Sequence, residues 1–226
     1  MSKKKFGLFL VALSLCLFIK VPVLAQEDLG VNSEFERVQN TDFENIINEI
    51  QNIKSANPEY SEDMILEIMN RNHPNFTTSG MERGIVDIWN VLTDSEKRLC
   101  IRYPFDALKV NEAKNIATSQ TEIKFGYNGL GDRSDAFRHG IWNAEMTIMI
   151  GKEKAELFAT AHEDKDVTGN ESDGYSKSAH KEMDLHNNEI GRNIGQNNLN
   201  ASEDEMANII YETIYSENSP FIWLHD

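Results

Sequence analysis

The amino-acid sequence predicts an all-α protein: a multi-helix, bundle-like single domain preceded by an N-terminal helical extension. In nearly every segment of the 226 residues, apolar side chains recur at spacings of three and four, the pattern of an amphipathic helix. Several of these segments begin with Ser or Thr followed three positions later by Glu, the capping-box signature of a helix start. No stretch shows the sustained alternation with β-branched residues that is typical of a strand.

Residues 1–25 have the pattern of a cleaved signal peptide. Lysines at positions 3–5 precede an apolar run that is short for a bilayer span, and Val23-Leu24-Ala25 is a small-residue cleavage site. An uncleaved anchor and a lipoprotein modified at Cys16 are the alternatives, but the bulky residue before that cysteine and Lys20 within the apolar run disfavour them. We therefore predict a secreted or envelope-associated protein with no integral membrane segment after cleavage.

Residues 26–78 predict the helical extension, made of two acidic amphipathic helices. Thr41 and Glu44 form a capping box before a run of isoleucines at helical spacing. Ser61 opens the second helix, and Pro74 closes it. Because a linker-like segment follows, this pair could be a separate regulatory or packing hairpin.

Residues 79–226 predict the main helical domain, which carries the polar motifs described below. A strongly apolar helix around Trp89 is followed by a capping box from Thr93 to Glu96. Further helices are expected over about 105–121, 134–150, 152–163, 178–195 and 202–216. We expect Ser134 to cap the helix over 134–150, and Ser202 with Glu205 to cap the last one.

The segments between these helices also carry predictions. The glycine-containing loop 126–131 lacks the strand that a dinucleotide-binding loop needs, and we expect it to form a wall of the site. Residues 164–177 are interpreted as a plain loop, with a lid or an ion-binding loop as alternatives. The apolar tail 221–224 is expected to dock on the core.

Charge and cysteine content limit the functional classes. The formal charge of −15 becomes −19 without residues 1–25, which hold four lysines and no acids. So acidic a surface repels phosphate backbones, and we expect no nucleic-acid partner. Cys100 is the only cysteine after the signal peptide, so no intramolecular disulfide can form, and we interpret it as a buried, inert thiol.

Three motifs hold most of the residues able to bind a metal or move protons. Asp135, His139 and Asn143 lie one helical turn apart on a helix that is apolar all round, so the carboxylate and the imidazole are expected inside the protein. Buried charges must be paired, hydrogen-bonded or bound to a metal. The other two motifs are Ala161-His162-Glu163 and Met183-Asp184-Leu185-His186-Asn187-Asn188, the latter followed by Gly191-Arg192.

These motifs suggest a metal-assisted hydrolase acting on an envelope or extracellular polymer. The expected ligands are His139, His162 and either Asp184 or His186, because imidazoles and carboxylates suit Zn²⁺, Mn²⁺ or Ca²⁺. Glu163 is the expected general base, and Arg138 or Arg192 the partner of an oxyanion or phosphate. Supporting positions are expected for Asp135, Trp142, Asn143, Asn187 and Asn188.

A structural interpretation of the same residues stays open. Acids, histidines, asparagines and arginines on adjacent helices can form a closed hydrogen-bonded network that fixes helix packing without catalysis or cofactor. The protein would then be an extracellular binding or interaction module with an envelope polymer or protein as partner. We expect His73, His180 and His225 to be surface or loop residues under either interpretation.

The three motifs, together with Leu130-Gly131-Asp132 and Trp142-Asn143-Ala144, resemble a bacterial family catalogued as a domain of unknown function, found in exported, wall-associated or toxin-type proteins. The similarity covers roughly residues 89–195. The resemblance implies an all-α domain whose signature positions fall on the candidate site residues. It identifies the site and implies no particular reaction.

Overall fold

The computed structural model describes residues 28–74 and 88–226, with side chains from residue 40 onward. The predicted signal peptide and the linker at 75–79 lie outside these residues. The described part is all-α, as predicted, and its one β-type pairing is an isolated bridge between Asn170 and Ser176. Its helices are α1 (Asp28–Ala56), α2 (Glu62–Asn72), α3 (Ile88–Val91), α4 (Asp94–Arg102), α5 (Pro104–Phe125), α6 (Arg133–Ile150), α7 (Lys152–His162), α8 (Lys177–Asn197) and α9 (Glu203–Ile214).

The chain divides into two compact units, residues 1–37 and residues 38–226. Of the first unit, the structure describes the opening turns of α1. The second unit contains the hydrophobic core, to which Ile47, Ile50 and Met69 contribute fully buried side chains. Within the described ranges, no helix is both long enough and apolar enough to cross a bilayer.

Three of the predicted helix starts are confirmed and two are wrong. Ser61, Thr93 and Ser202 are N-caps, the last two in complete capping boxes. Thr41 lies in the interior of α1 and is not its N-cap, because that helix begins at Asp28. The residues before Thr41 include the strong helix formers Glu, Arg and Gln, which let the helix continue upstream of the capping-box sequence.

The N-cap of α6 is Asp132, and not Ser134 as predicted. The Asp132 carboxylate accepts hydrogen bonds from the backbone N–H groups of both Ser134 and Asp135, at 2.9 and 3.0 Å. A carboxylate at a helix N-terminus is favoured by the helix dipole as well as by these bonds. Ser134 instead donates its hydroxyl to Asp132 and accepts from the N–H of Gly129.

Helix α6 is the centre of the second unit, and it packs against α5, α7, α8 and α9. Its side chains are buried almost continuously from Ser134 to Thr147. The approach to α8 is very close, because a Cβ added to Gly191 would lie 2.2 Å from the carbonyl oxygen of Gly140. One turn further, a Cβ on Gly195 would lie 2.6 Å from the Ala144 carbonyl oxygen. Small residues on both helices therefore allow backbone-to-backbone packing.

The C-terminal tail docks on this helix pair, as predicted. Phe221 is 3% exposed and its ring packs over Gly140. Ile222 exchanges two hydrogen bonds with the Asn187 side chain, and the N–H of Leu224 donates to the Gly131 carbonyl at 2.7 Å. The tail therefore contacts both the start of α6 and the middle of α8.

Cys100 is buried in the core, as predicted. Burial raises the pKa of its thiol to about 12. Because the thiolate is the nucleophilic form, this cysteine is unsuited to covalent catalysis.

Candidate metal centre

The start of α6 positions Asp135. Gly131 has a φ of +74°, which an L side chain rarely adopts, and it directs its N–H at Oδ2 of Asp135, 2.6 Å away. The Arg138 guanidinium donates to the other oxygen, Oδ1. Both oxygens are thus fixed, and the side chain is 2% exposed.

The close crossing of α6 and α8 brings the second carboxylate to the same place. Asp184, Asn188 and Arg192 lie at successive turns of α8, and all three contact residues of α6. Nε2 of His139 lies 3.3 Å from Oδ1 of Asp184 and 3.5 Å from Oδ1 of Asp135. The three potential ligand atoms all lie within 4.8 Å of one another.

A chain of hydrogen bonds determines which nitrogen of His139 carries the proton. The Arg192 guanidinium can only donate, so the Asn143 atom that it contacts at 2.9 Å is the side-chain oxygen. The Asn143 NH₂ group therefore donates to Oδ1 of Asn188, 2.6 Å away. Asn188 therefore presents an oxygen to Nδ1 of His139, 3.1 Å away, and Nδ1 must be the donor. In the neutral ring, Nε2 then presents its lone pair to the two carboxylates.

The electrostatics of this cluster favour a neutral imidazole. Burial lowers the pKa of His139, and this outweighs the opposing effect of the nearby Asp135. Burial, with repulsion from Asp135 as the next cause, raises the pKa of Asp184 to about 7. Oδ1 of Asp184 is buried and has no hydrogen-bond partner. Three basic atoms therefore share one buried space that a cation or a single proton would stabilise.

The ligand types are compatible with a divalent ion. One imidazole nitrogen and two carboxylates suit Zn²⁺ or Mn²⁺, and the absence of thiolate among them disfavours softer metals. The backbone N–H of Gly131 and the Asn188 side chain hold Asp135 and His139 from behind, as outer partners of metal ligands commonly do. The sequence predicted a supporting role for Asp135, whereas the structure places it among the three residues that could hold a metal ion.

His162, predicted as a ligand, lies outside this three-residue cluster. Its Nδ1 is 2.8 Å from Oε1 of Glu96, and Lys165 donates to its Nε2 at 3.0 Å. Both ring nitrogens therefore already have partners. The ring is nevertheless near, since Trp142 makes edge contacts with His162 on one side and with His139 on the other. No sequence signal linked His162 to Glu96, which is 66 residues away.

Glu163 ends α7 as its C-cap residue, directly after His162. The residue is 5% exposed, and its Oε1 is buried without a hydrogen-bond partner. Its charge acts on His139, whose pKa it tends to raise. Glu163 is therefore a buried carboxylate within electrostatic range of the cluster, which is compatible with the predicted role of a base.

Two other predicted residues lie elsewhere on α8. His186 is directed at the tail, with Nε2 2.7 Å from the carbonyl oxygen of Pro220. Arg192 is 7% exposed and donates to Asn143, so it supports the network and does not face an open site. Of the two alternatives for the third ligand, the structure brings Asp184 and not His186 to His139.

His180 is buried on α8, contrary to the prediction that it is a surface or loop residue. It is 5% exposed, and its Nε2 lies 2.9 Å from Oδ2 of Asp173. His225 reaches the same oxygen at 3.3 Å. Asp173 belongs to the loop 164–177, whose path spacing along the chain does not predict.

A cleft of about 310 Å³ opens beside the cluster. His139, Arg138 and His162 contribute to its wall, together with Glu96 and Trp142. The predicted oxyanion partner Arg138 is therefore accessible from the cleft, with Nη1 donating to the Gly129 carbonyl at 3.0 Å. A ligand in this cleft would contact the ring of the candidate ligand His139.

The comparisons with known proteins give a family and no reaction. The family described as "Domain of unknown function (DUF6973)" matches residues 97–218. The matched range contains all of α6, α7 and α8, with every candidate ligand. No curated protein and no solved structure matches the chain. The expected resemblance to a domain of unknown function is thus confirmed.

Proposed function

Because the chain belongs to DUF6973, a family without an assigned reaction, we propose a function from the site itself: an exported, metal-assisted hydrolase. In this proposal Asp135, His139 and Asp184 hold a divalent ion. The bond cleaved is a phosphoester, glycosidic or peptide bond of envelope or extracellular material. Export rests on the signal-peptide pattern of residues 1–25.

One observation carries the proposal. A neutral imidazole nitrogen and a buried carboxylate oxygen without a hydrogen-bond partner lie 3.3 Å apart, with a second carboxylate oxygen 3.5 Å from the same nitrogen. Bringing such groups together without a cation is unfavourable in a water-poor site. The hydrogen bonds from Gly131 and to Asn188 hold two of them in this geometry, as a binding site requires.

The surrounding residues suit hydrolysis. Asp135, His139 and Asp184 would hold the divalent ion, which would supply an acidified water and polarise the bond to be cleaved. Glu163 is the candidate acceptor of a proton from that water, since its Oε1 has no hydrogen-bond partner. Arg138 lines the cleft and is the candidate partner of a developing negative charge.

Activity of the metal-loaded mature protein tests this proposal. The protein is stripped with a chelator, reloaded with Zn²⁺, Mn²⁺ or Ca²⁺, and assayed on chromogenic phosphodiester, glycoside and peptide substrates. We expect at least one activity that the chelator abolishes. His139→Gln and Asp184→Asn should reduce it at least a hundredfold, whereas His186→Gln and Asp166→Asn, which alter residues outside the cluster, should retain it. Equal activity in all four variants would contradict the proposal.

A second candidate, a non-enzymatic binding or interaction module, is favoured by a different observation. With a pKa of about 7, Asp184 can hold a proton that it shares with His139, so that the cluster is satisfied without a metal. The cluster would then be a structural network linking α6 to α8. Under this hypothesis, Asp184→Asn should bind no less metal than the parent protein, and all single changes in the cluster should lower the melting temperature by several degrees.

A further inference from the structure

We propose that the cleft beside the metal centre binds the apolar chain of an anionic amphiphile, such as a monoalkyl phosphate or a fatty acid. The bond that is cleaved in such a molecule depends on the proposed function. Binding in the cleft does not depend on it. The inference rests on the shape, the apolar wall and the charges of the cleft.

The wall of the cleft is mainly hydrocarbon. Aliphatic and aromatic side chains from α1, α3, α5, α6 and α7 form it, among them Phe43, Ile88, Val110, Trp142 and Phe158. A volume of about 310 Å³ is at the lower end of the range for ligand pockets, which are typically apolar with a few polar groups that fix orientation. Glycans and peptides would leave polar groups unpaired against such a wall, whereas an alkyl chain loses nothing.

The cleft is also elongated. It follows α5 from Ala107 to Thr118, through Val110, Lys114 and Ala117, which lie on one side of that helix at spacings of three and four. At 1.5 Å per residue, this stretch extends about 16 Å along the helix axis. A space that extends along the helix and is lined mainly by apolar side chains suits a single extended chain better than a compact ring system.

The charges in the wall favour an anionic head group. Lys114 and Arg138 are cationic, and Glu96 is the one acidic residue of the wall among those that the structure describes. Glu96 is already paired with His162 at 2.8 Å. Arg138 is likewise paired with Asp135, so Lys114 is the exposed cation of the wall, in a chain whose formal charge is −15. The same overall charge repels anionic bilayers, so we infer that the ligand binds as a free molecule and not within a membrane surface.

Calorimetric titration of the full mature protein with decyl phosphate tests the inference. Chelator-treated protein is used, so that the metal proposal does not affect the result. We expect saturable binding of one decyl phosphate per chain below its micellar concentration, and no binding of inorganic phosphate at the same concentrations. Absence of saturable decyl phosphate binding would overturn the inference. Binding of inorganic phosphate as strong as that of decyl phosphate would also overturn it, because the alkyl chain would then contribute nothing.

Filling the cleft should weaken binding. Thr118 lines the cleft and is only partly buried, so the Thr118→Phe protein should fold. Its affinity for decyl phosphate should be at least about tenfold weaker, because the alkyl chain can no longer be buried. Ser119→Phe adds the same ring on the neighbouring exposed position and should change affinity less than twofold. Thermal unfolding of both variants checks that each is folded. A folded Thr118→Phe protein with parental affinity would contradict the location.

Charge reversal separates head-group recognition from burial of the chain. Lys114→Glu should weaken decyl phosphate about fivefold and leave decanol unchanged, because the effect of a partly exposed charge is modest. Lys109→Glu, on the same helix but outside the cleft, is the matched control and should leave both affinities unchanged. Equal decyl phosphate affinity in the two variants would exclude an anionic ligand for this cleft.

A parallel measurement distinguishes a free amphiphile from a lipid surface. The protein is mixed with phosphatidylglycerol vesicles and the vesicles are sedimented by centrifugation. We expect the protein to remain in the supernatant. Sedimentation with vesicles but no binding of dispersed decyl phosphate would overturn the inference. If the protein binds decyl phosphate but takes up no metal, the inference about the cleft is supported and the proposed hydrolase mechanism is contradicted. The two proposals can therefore fail independently.

Discussion

At the scale of single residues, the site depends on the orientation of one imidazole. Nδ1 of His139 donates to Asn188, whose own orientation is set through Asn143 and Arg192. This leaves the lone pair of Nε2 directed at Asp135 and Asp184. Asn143, Asn188 and Arg192 therefore orient a candidate ligand without belonging to the three-residue cluster.

Asn188→Ala should weaken metal binding without unfolding the protein. Without the Asn188 oxygen, neither the tautomer nor the ring orientation of His139 is held by a hydrogen bond. Substitution of a residue that orients a metal ligand typically lowers metal affinity by about ten- to a hundredfold. Asn193→Ala alters a neighbouring α8 residue that contacts Lys152, and it should leave affinity unchanged. Titration with Zn²⁺ compares the two, and equal affinities would mean that the network does not orient the ligand.

Another buried carboxylate, that of Glu145, lies on α6 apart from the cluster. Burial, with a smaller contribution from Glu203, raises its pKa from 4.5 to about 7, and its Oε1 has no hydrogen-bond partner. The folded state therefore holds this proton more tightly than the unfolded state does. Its contribution to stability is greatest below pH 4.5 and is lost as the pH rises towards about 7.

Glu145→Gln should stabilise the protein in a pH-dependent manner. Above pH 7 the variant avoids the cost of a buried charge, and its free energy of unfolding should be higher than the parent's by about 1–3 kcal/mol. Below pH 5 the parent is protonated, so the gain should vanish. Urea unfolding at pH 8.5 and pH 4.5 measures both, with the exposed Glu153→Gln as control. A gain of equal size at both pH values would exclude ionisation as the cause.

At the scale of secondary-structure elements, the crossing of α6 and α8 builds the site. Gly140 and Gly191 allow the two backbones to touch. His139, next to Gly140, then meets Asn188, which lies about one turn before Gly191. The residues of one helix are hydrogen-bonded to those of the other at two further levels. Site geometry and helix packing are therefore properties of the same contact.

Gly191→Ala should destabilise the protein in spite of alanine's higher helix propensity. Its Cβ would lie 2.2 Å from the backbone oxygen of Gly140, which cannot move without displacing α6. Overpacking should outweigh the gain of about 1 kcal/mol in propensity and lower the free energy of unfolding by roughly 2 kcal/mol. Gln196→Ala, on the exposed side of α8, should be nearly neutral. A Gly191→Ala variant as stable as the parent would mean that the helices can separate at no cost.

Helical periodicity predicted most elements and the faces that meet. It predicted that Asp135, His139 and Asn143 share a buried stripe of α6. It could not predict which residue the side chain of His162, at the end of α7, contacts. His162 is bound by Glu96, a residue of a capping box whose second carboxylate oxygen was free to accept a distant histidine. Such pairings depend on tertiary packing, which spacing along the chain does not encode.

At the scale of the whole molecule, the C-terminal tail supports the site. Leu224 binds the carbonyl of Gly131, whose N–H binds Asp135, and Phe221 covers Gly140 next to His139. Asp173 in the loop before α8 adds a contact through His225. The C-terminal tail thus packs over the first turns of α6.

Phe221→Ala should therefore lower both stability and metal affinity. Removing a buried phenyl ring typically costs about 3–5 kcal/mol, and the tail would then hold Gly131 less firmly. Ile222→Ala truncates the neighbouring side chain, which is 44% exposed, and should cost less than about 1 kcal/mol. Thermal unfolding and Zn²⁺ titration of both variants provide the comparison. A Phe221→Ala protein with parental stability would contradict the structural role of the tail.

The metal content of the purified mature protein tests the central claim most directly. Elemental analysis after equilibration with Zn²⁺ or Mn²⁺ and removal of free ion should give one ion per chain for the parent and for His186→Gln. His139→Gln and Asp184→Asn should each retain less than about a tenth of that amount, because two of three ligands cannot hold the ion against dialysis. A parent protein without metal, or an Asp184→Asn protein that retains as much as the parent, would contradict the claim that these residues form a metal centre.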